Sequence, residues 1–127
     1  MKTLFIIFAT FLSISAFAQV SDVQLCIEQN DSTVGMEQCQ HDEYLRLKNV
    51  LTSEYIKLRE TRVKDAQHII NSHISWALKT EAACTDEVAD REGGTSQGFA
   101  KAECLSEKTQ LRIDYIRALP SAEKSSN

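Results

Sequence analysis

The residues of this sequence whose chemistry is easiest to predict are its four cysteines, Cys26, Cys39, Cys84 and Cys104. They form no Cys-x-x-Cys pair, which argues against redox activity, and their spacings match no standard zinc finger. An even number of cysteines in a short exported chain indicates structural disulfides instead. We therefore expect all four cysteines to be oxidised, provided that the chain leaves the cytoplasm.

A segment with the features of a secretory signal peptide occupies residues 1–18. Lys2 supplies the positive charge, residues 4–14 form a short apolar run, and Ala16-Phe17-Ala18 is a small-x-small cleavage site. The apolar run is too short to hold the mature chain in a bilayer. We expect a periplasmic or secreted protein that begins near residue 19 and folds where disulfides form.

Other groups with chemical potential show no specific pattern. The three histidines form no His-x-x-x-His pair, and spacing singles out no pair among the abundant carboxylates. We therefore predict no catalytic residue, no metal, no cofactor and no enzymatic activity. A hydrolase that uses its carboxylates is the weakest of the hypotheses considered below.

The charge balance narrows the class of partner. The sequence has 14 basic and 18 acidic residues, and losing Lys2 with the signal changes the net charge from −4 to −5. This acidic balance argues against nucleic acid or anionic lipid as the main partner. It suits a basic protein partner, although an acidic surface is also common for solubility alone. We expect a protein partner, no nucleic acid and no membrane association after signal cleavage.

Composition predicts the fold class. Long stretches rich in Glu, Lys, Leu and Ala, with the single proline at Pro120, indicate helix throughout the chain. Without the signal, about 109 residues remain, enough for one small domain whose modest core benefits from crosslinks. We predict an all-α fold, a small disulfide-bonded bundle made of a long helix hairpin and a C-terminal helix. The domain would span residues 19–120, with a disordered tail at 121–127.

Helical periodicity predicts the first elements of this bundle. A short helix is expected at Ser21–Gln29, capped by Ser21 or Asp22, and a long helix is expected after an N-cap at Thr33. A bend is expected within Thr61–Asp65, but no glycine or proline marks it, so a continuous or kinked helix is the alternative. The apolar stripe of the long helix comprises Tyr44, Leu47, Leu51, Tyr55 and Leu58.

Two further amphipathic patterns follow the expected bend, and the second predicts a final helix from about Phe99 to Leu119. The first pattern comprises Ala66, Ile69, Ile70, His73, Trp76, Ala77, Thr80 and Cys84. The second comprises Phe99, Ala102, Leu105, Thr109, Arg112, Ile116 and Leu119, with Leu111 and Tyr115 beside it.

Arg112 is the one charged residue on an otherwise apolar or small-residue face. An unpaired buried guanidinium is costly, so an ion pair is expected unless the side chain reaches solvent along its aliphatic stem. The candidate partners for the ion pair are Glu81, Asp42 and Glu43.

The segment between the last two helices, residues 85–98, is acidic and contains three glycines. Functional residues concentrate in loops held by rigid scaffolds, so we expect this loop to contact a partner; a flexible connector is the alternative. The predicted contact residues are Arg91, Glu92, Gly93, Gly94, Thr95 and Ser96.

Four cysteines allow three pairings. An antiparallel bundle would bring all four to one end, and loop length alone does not choose among the pairings. We favour Cys26–Cys39 and Cys84–Cys104, because each pair brackets a single loop. A Cys39–Cys84 bond is the main alternative.

Several short motifs occur in a characteristic order: Thr33-x-x-Met36-x-x-Cys39, Leu51-x-x-x-Tyr55, Trp76 eight residues before Cys84, Glu92-Gly93-Gly94-Thr95 before Cys104, and Thr109-x-x-Arg112. In this order they resemble the LprI-type lysozyme inhibitor family of small exported cysteine-containing proteins, over about Cys26 to Leu119. The resemblance implies an α-helical exported domain and, for some members, inhibition of lysozyme. It also implies structural roles for Tyr55, Trp76, Thr109 and Arg112.

The chain departs from the family pattern where Thr52, His73 and Thr80 stand in place of Asn, Gln and Arg. Two binding functions follow as hypotheses. The first is a protein that inhibits a lysozyme and protects the cell wall, using Arg91, Thr95 and Ser96 to face the catalytic carboxylates without like-charge repulsion. The second is an immunity-type or adaptor protein that binds another envelope protein.

Overall fold

The computed structural model describes residues 21–91 and 94–120, and within these ranges it is helical, with no strand. The predicted all-α fold is therefore confirmed. The predicted signal peptide and C-terminal tail lie outside the described residues. The elements are α1 (Asp22–Glu28), α2 (Thr33–Thr61), a 3-10 turn (Val63–Asp65), α3 (Ala66–Glu87) and α4 (Thr95–Ala118).

The predicted hairpin forms at the expected bend. Arg62 leaves helical geometry with φ −124° and ψ 56°, and the 3-10 turn then redirects the chain into α3. α3 runs antiparallel to α2, so that the rings of Tyr55 and His73 lie 4.2 Å apart between centroids. The bend needs no glycine or proline because a single residue outside the helical region followed by a short 3-10 turn is sufficient.

α4 runs parallel to α2, which is its main packing partner. The core between the three long helices comprises Leu47, Leu51, Tyr55, Ile69, Ile113 and Ile116. The predicted stripe of α2 is confirmed, because its central three residues are buried. Ile113 is fully buried although the predicted face of α4 omits it, and Leu111, which was placed beside that face, is 68% exposed. The face of α4 that contacts α2 is therefore rotated towards Ile113 relative to the predicted face.

Two helix starts differ from the prediction. Ser32, not Thr33, caps α2, because the Ser32 hydroxyl accepts a hydrogen bond from the Gly35 N–H at 3.0 Å. α4 begins at Thr95 rather than near Phe99, directly after Gly94, whose φ of 124° is in the region that favours glycine. The predicted loop 85–98 therefore shrinks to residues 88–94.

Both favoured disulfides are present, Cys26–Cys39 and Cys84–Cys104, and no described cysteine is free. The alternative Cys39–Cys84 bond is wrong. The second disulfide lies in a small core with Leu105 and the half-buried Tyr44. All four cysteines lie at one end of the bundle, which we call the disulfide end (described residues 21–46, 81–91 and 94–107). The opposite part (47–80 and 108–120) is the bend end.

Candidate functional site

The connection between α3 and α4 is anchored to the bundle although its tip is exposed. Val88 is only 3% exposed, and its carbonyl accepts hydrogen bonds from the Arg91 N–H at 3.0 Å and the Gln97 side-chain amide at 3.1 Å. Arg91 and Gly94 are exposed. The described residues on both sides of positions 92 and 93 are therefore held against the bundle.

The predicted contact residues divide between this connection and the next helix. Arg91 and Gly94 belong to the connection, whereas Thr95 and Ser96 form the first turn of α4. Glu92 and Gly93 lie outside the described residues. Gly94 has no side chain to cap α4, and the Gln97 N–H donates to the Gly94 carbonyl at 3.2 Å, so among the described residues the N–H groups of Thr95 and Ser96 are the ones left for an acceptor.

Residues 94–98 also match a Gly-x-Ser-x-Gly pattern, which is typical of hydrolases that use serine as a nucleophile. That chemistry requires a strand before the serine and a histidine beside it. Here the preceding element is α3, and within the described residues Ser96 has no hydrogen bond to a histidine. Residues 94–98 therefore lie at the start of a helix that follows another helix, which differs from the strand-to-helix turn of those hydrolases.

Close contacts hold the α1–α2 turn and the start of α4 at the same end. The Asn30 amide donates to the Cys26 carbonyl at 2.7 Å and approaches the Cys39 sulfur at 3.3 Å. Gly98 lies against the Glu37 carboxylate, and a Cβ at position 98 would overlap it. A glycine inside a helix normally costs stability, and here its missing side chain leaves room for the Glu37 carboxylate of α2.

Charge is strongly separated along the bundle. The described residues of the disulfide end include twelve acidic and three basic residues, a net charge of −9. Those of the bend end include four acidic and nine basic residues, a net charge of +5. Two of the three basic residues at the disulfide end are in ion pairs, Arg46 with Glu43 at 2.7 Å and Lys101 with Glu81 at 2.5 Å. The modest overall charge thus conceals a strongly acidic end.

Arg112 forms none of the three ion pairs considered for it, and its side chain is half-buried. Its Nε donates to the Tyr55 hydroxyl at 2.8 Å, and its Nη2 donates to the Ser72 hydroxyl at 3.1 Å. Its guanidinium also lies 5.6 Å from the Trp76 ring centroid and 4.9 Å from that of Tyr115. The predicted ion pair is therefore wrong. The guanidinium instead contacts hydroxyl groups and aromatic rings, most of them supplied by α2 and α3.

The acids proposed as partners of Arg112 are engaged elsewhere at the disulfide end. Glu81 and Glu43 pair with Lys101 and Arg46, and Asp42 accepts a hydrogen bond from Gln38 at 2.7 Å.

Burial, the largest effect, raises the pKa of Tyr55, and the adjacent Arg112 opposes that rise. Thr109, the other motif residue of α4, is 2% exposed and donates to the Leu105 carbonyl at 2.6 Å.

His73 packs between Tyr55 and Trp76, and its Nδ1 is buried with no hydrogen-bond partner in the described part of the chain. Burial above all, together with the charges of Arg112 and Lys48, lowers the pKa of His73 below its ordinary value of 6.5. The folded state therefore favours the neutral ring.

We expect His73 to make the fold sensitive to acid. The unfolded chain binds a proton at His73 near pH 6.5, whereas the folded chain binds it only at lower pH. The stabilising contribution of the neutral ring is therefore fully present above pH 6.5 and is lost as the pH falls through the folded pKa. Denaturant unfolding of the wild type and His73→Gln at pH 7.5 and 5.5 tests this. The variant should lose less stability on acidification, and an equal loss in both proteins would contradict it.

The three positions that depart from the family pattern lie around one groove between α2 and α3. Thr52, His73 and Thr80 line it together with Trp76 and Lys48.

Neither a cluster of three or more potential metal ligands nor a helix long and apolar enough to cross a membrane occurs among residues 21–91 and 94–120.

One comparison with known proteins identifies a relationship. A family model described as "Lysozyme inhibitor LprI" matches residues 26–116. The matched region begins at the first cysteine and ends in the last turn of α4, so it includes both disulfides and all three long helices. No curated protein and no solved structure matches the chain.

Proposed function

Because the chain belongs to the LprI lysozyme inhibitor family, we propose that it is an exported protein that binds a lysozyme and protects the cell wall from hydrolysis. The family implies protein binding rather than catalysis. The proposal for this chain also depends on where its charge and its two helix connections lie.

The single observation that best supports a lysozyme as partner is the net charge of −9 at the disulfide end. Lysozymes are usually basic, and complementary fields raise the association rate and orient the two proteins before contact. A −9 end opposite a +5 end would direct the disulfide end towards such a partner.

The α3–α4 connection is the part of the disulfide end best suited to enter a lysozyme cleft. That cleft carries two catalytic carboxylates, which repel acidic side chains and accept hydrogen bonds. Arg91 supplies a cation, and Thr95 and Ser96 begin a helix whose first N–H groups can donate to a carboxylate. The acidic residues around this connection would then contact the basic surface outside the cleft.

The two disulfides suit this role because they hold the helices that flank the two connections in place before binding. Cys84–Cys104 joins α3 to α4 on either side of the connection, and Cys26–Cys39 ties α1 to α2. A loop that is already ordered loses less conformational entropy when it binds, and more of the contact energy then contributes to affinity.

A lysis assay tests the proposal. The oxidised protein from residue 19 onward should slow the lysis of peptidoglycan by a basic lysozyme at a near-stoichiometric ratio. Replacing Arg91, Thr95 and Ser96 together by alanine should preserve the circular dichroism spectrum and weaken inhibition.

Failure to inhibit lysozymes of several classes would contradict the proposal. Affinity capture from an envelope extract would then distinguish the adaptor hypothesis, because the retained partner would be a protein other than a muramidase. Full inhibition by the triple variant would instead place the contact elsewhere on the disulfide end.

A further inference from the structure

We propose that a cavity at the bend end, enclosed by α2, α3 and α4, binds a small oxyanion, a phosphate or carboxylate group. The cavity has a volume of about 150 Å³ and is separate from the disulfide end to which the lysozyme contact is assigned. Its polar lining comprises Tyr55, Arg62, His68, Ser72, Arg112 and Tyr115.

The first argument is that Arg112 has no counter-ion among residues 21–91 and 94–120. Within the described residues no carboxylate oxygen lies within 4.0 Å of its guanidinium, and its two hydrogen bonds go to the neutral hydroxyls of Tyr55 and Ser72. A guanidinium has five N–H donors in a planar fork, so others remain for a ligand. The other close neighbours of the Arg112 guanidinium are the rings of Tyr55, Trp76 and Tyr115, which attract the cation but carry no negative charge.

The second argument comes from Arg62 on the other side of the cavity. Its Nε is buried and has no hydrogen-bond partner among the described residues. The nearby Asp65 carboxylate is 3.7 Å from this nitrogen, which is beyond hydrogen-bond distance. An oxyanion in the cavity would add a hydrogen-bond acceptor for Arg62 beside the more distant Asp65, and it would supply the first acceptor of opposite charge for Arg112 among the described residues.

The surroundings favour an anion over a cation. The described residues of the bend end carry a net charge of +5, and no carboxylate lines the cavity. Glu54, the half-buried acid nearby, is engaged by Arg117 at 3.1 Å and Lys57 at 3.3 Å. The small volume and the apolar contribution of Leu58, Ile69 and Ile116 limit the ligand to one compact charged group.

The proposal is tested by thermal unfolding and calorimetry with sodium phosphate and with sodium acetate. Sodium chloride at the same ionic strength is the reference in each case. The better ligand should raise the Tm by roughly 5 °C at ten times its Kd. Stronger binding of phosphate would identify the ligand group as a phosphate, and stronger binding of acetate as a carboxylate.

Variants of three arginines locate the site. Arg62→Gln should weaken anion binding by at least tenfold, because the Arg62 side chain lines the cavity. This side chain is 28% exposed. Arg59→Gln, an exposed residue one turn earlier that does not line it, should leave binding unchanged. Arg112→Lys keeps the charge but loses the planar fork, and it should also weaken binding.

Stabilisation by neither anion beyond that by chloride would overturn the proposal. Equal losses in Arg62→Gln and Arg59→Gln would also overturn it, because they would show attraction to the basic end as a whole. Amide resonances of Ser72 and His68 should shift on titration in the wild type, and unchanged resonances would contradict binding in this cavity.

Discussion

Replacing Cys84 and Cys104 together by alanine should lower the free energy of unfolding by about 3 kcal/mol or more. The bond closes a loop with a sequence separation of 20, for which the chain-entropy model gives roughly that value. The two residues are 0% and 6% exposed and pack with Leu105 and Tyr44, so removing the sulfur atoms also leaves a cavity. A loss of this size is a large fraction of the stability of a small domain.

Denaturant unfolding of the double variant measures this loss, and the other disulfide provides a matched control. Cys26–Cys39 has a separation of 13, so its closure entropy is similar, but Cys26 is only half-buried and α1 contributes no buried residue. Replacing Cys26 and Cys39 should therefore cost less than replacing Cys84 and Cys104. The opposite order, or no loss for Cys84 and Cys104, would contradict the packing described for this end.

Reversing two charges in the α3–α4 region, Asp86→Lys with Asp90→Lys, should slow association with a basic lysozyme by roughly a hundredfold at low salt. Both side chains are exposed, so the fold should be unaffected. The effect arises because the acidic field that steers the encounter is weakened where the contact is proposed, and it should diminish as the ionic strength rises.

The control for this experiment has the same net charge change at the opposite end. Glu60→Lys with Asp114→Lys also replaces two exposed acids, but both lie at the bend end. Stopped-flow association rates should fall far less in this protein. If both pairs of substitutions slowed association equally, total charge and not its position would govern binding.

Much of this architecture follows from local rules. The three- and four-residue spacing of Leu47, Leu51 and Tyr55 predicts the buried stripe of α2, because each step returns to the same helix face. The disulfide pairing follows from bracketing single loops, since neighbouring helix ends in a bundle are close in space. The first prediction requires only the periodicity of one helix, and the second requires only contacts between consecutive helices.

The features that sequence reasoning missed depend on tertiary geometry. Gly98 is typical of a loop, but it lies inside α4, where its missing side chain leaves room for the Glu37 carboxylate of α2. Ile113 faces the core because α4 is rotated about its own axis where it packs on α2. The periodicity of one helix predicts this rotation only approximately. The hydroxyl partners of Arg112 come from two other helices, 57 and 40 residues away.

The charge separation is a further property that appears only in the folded chain. Along the sequence, acidic residues cluster in two separate stretches, and only the up-down-up arrangement of α2, α3 and α4 brings these stretches to one end. A net charge of −4 indicates a weakly acidic protein, whereas the fold presents one acidic end and one basic end.

Hydrogen–deuterium exchange of the oxidised protein with and without a basic lysozyme tests most directly whether the disulfide end binds it. We expect slower exchange in the α1–α2 turn at residues 29–32 and in the α3–α4 connection at residues 88–91, with exchange around the bend at residues 62–66 unchanged. Protection confined to the bend end, or no protection anywhere at lysozyme concentrations that saturate inhibition, would contradict binding through the disulfide end.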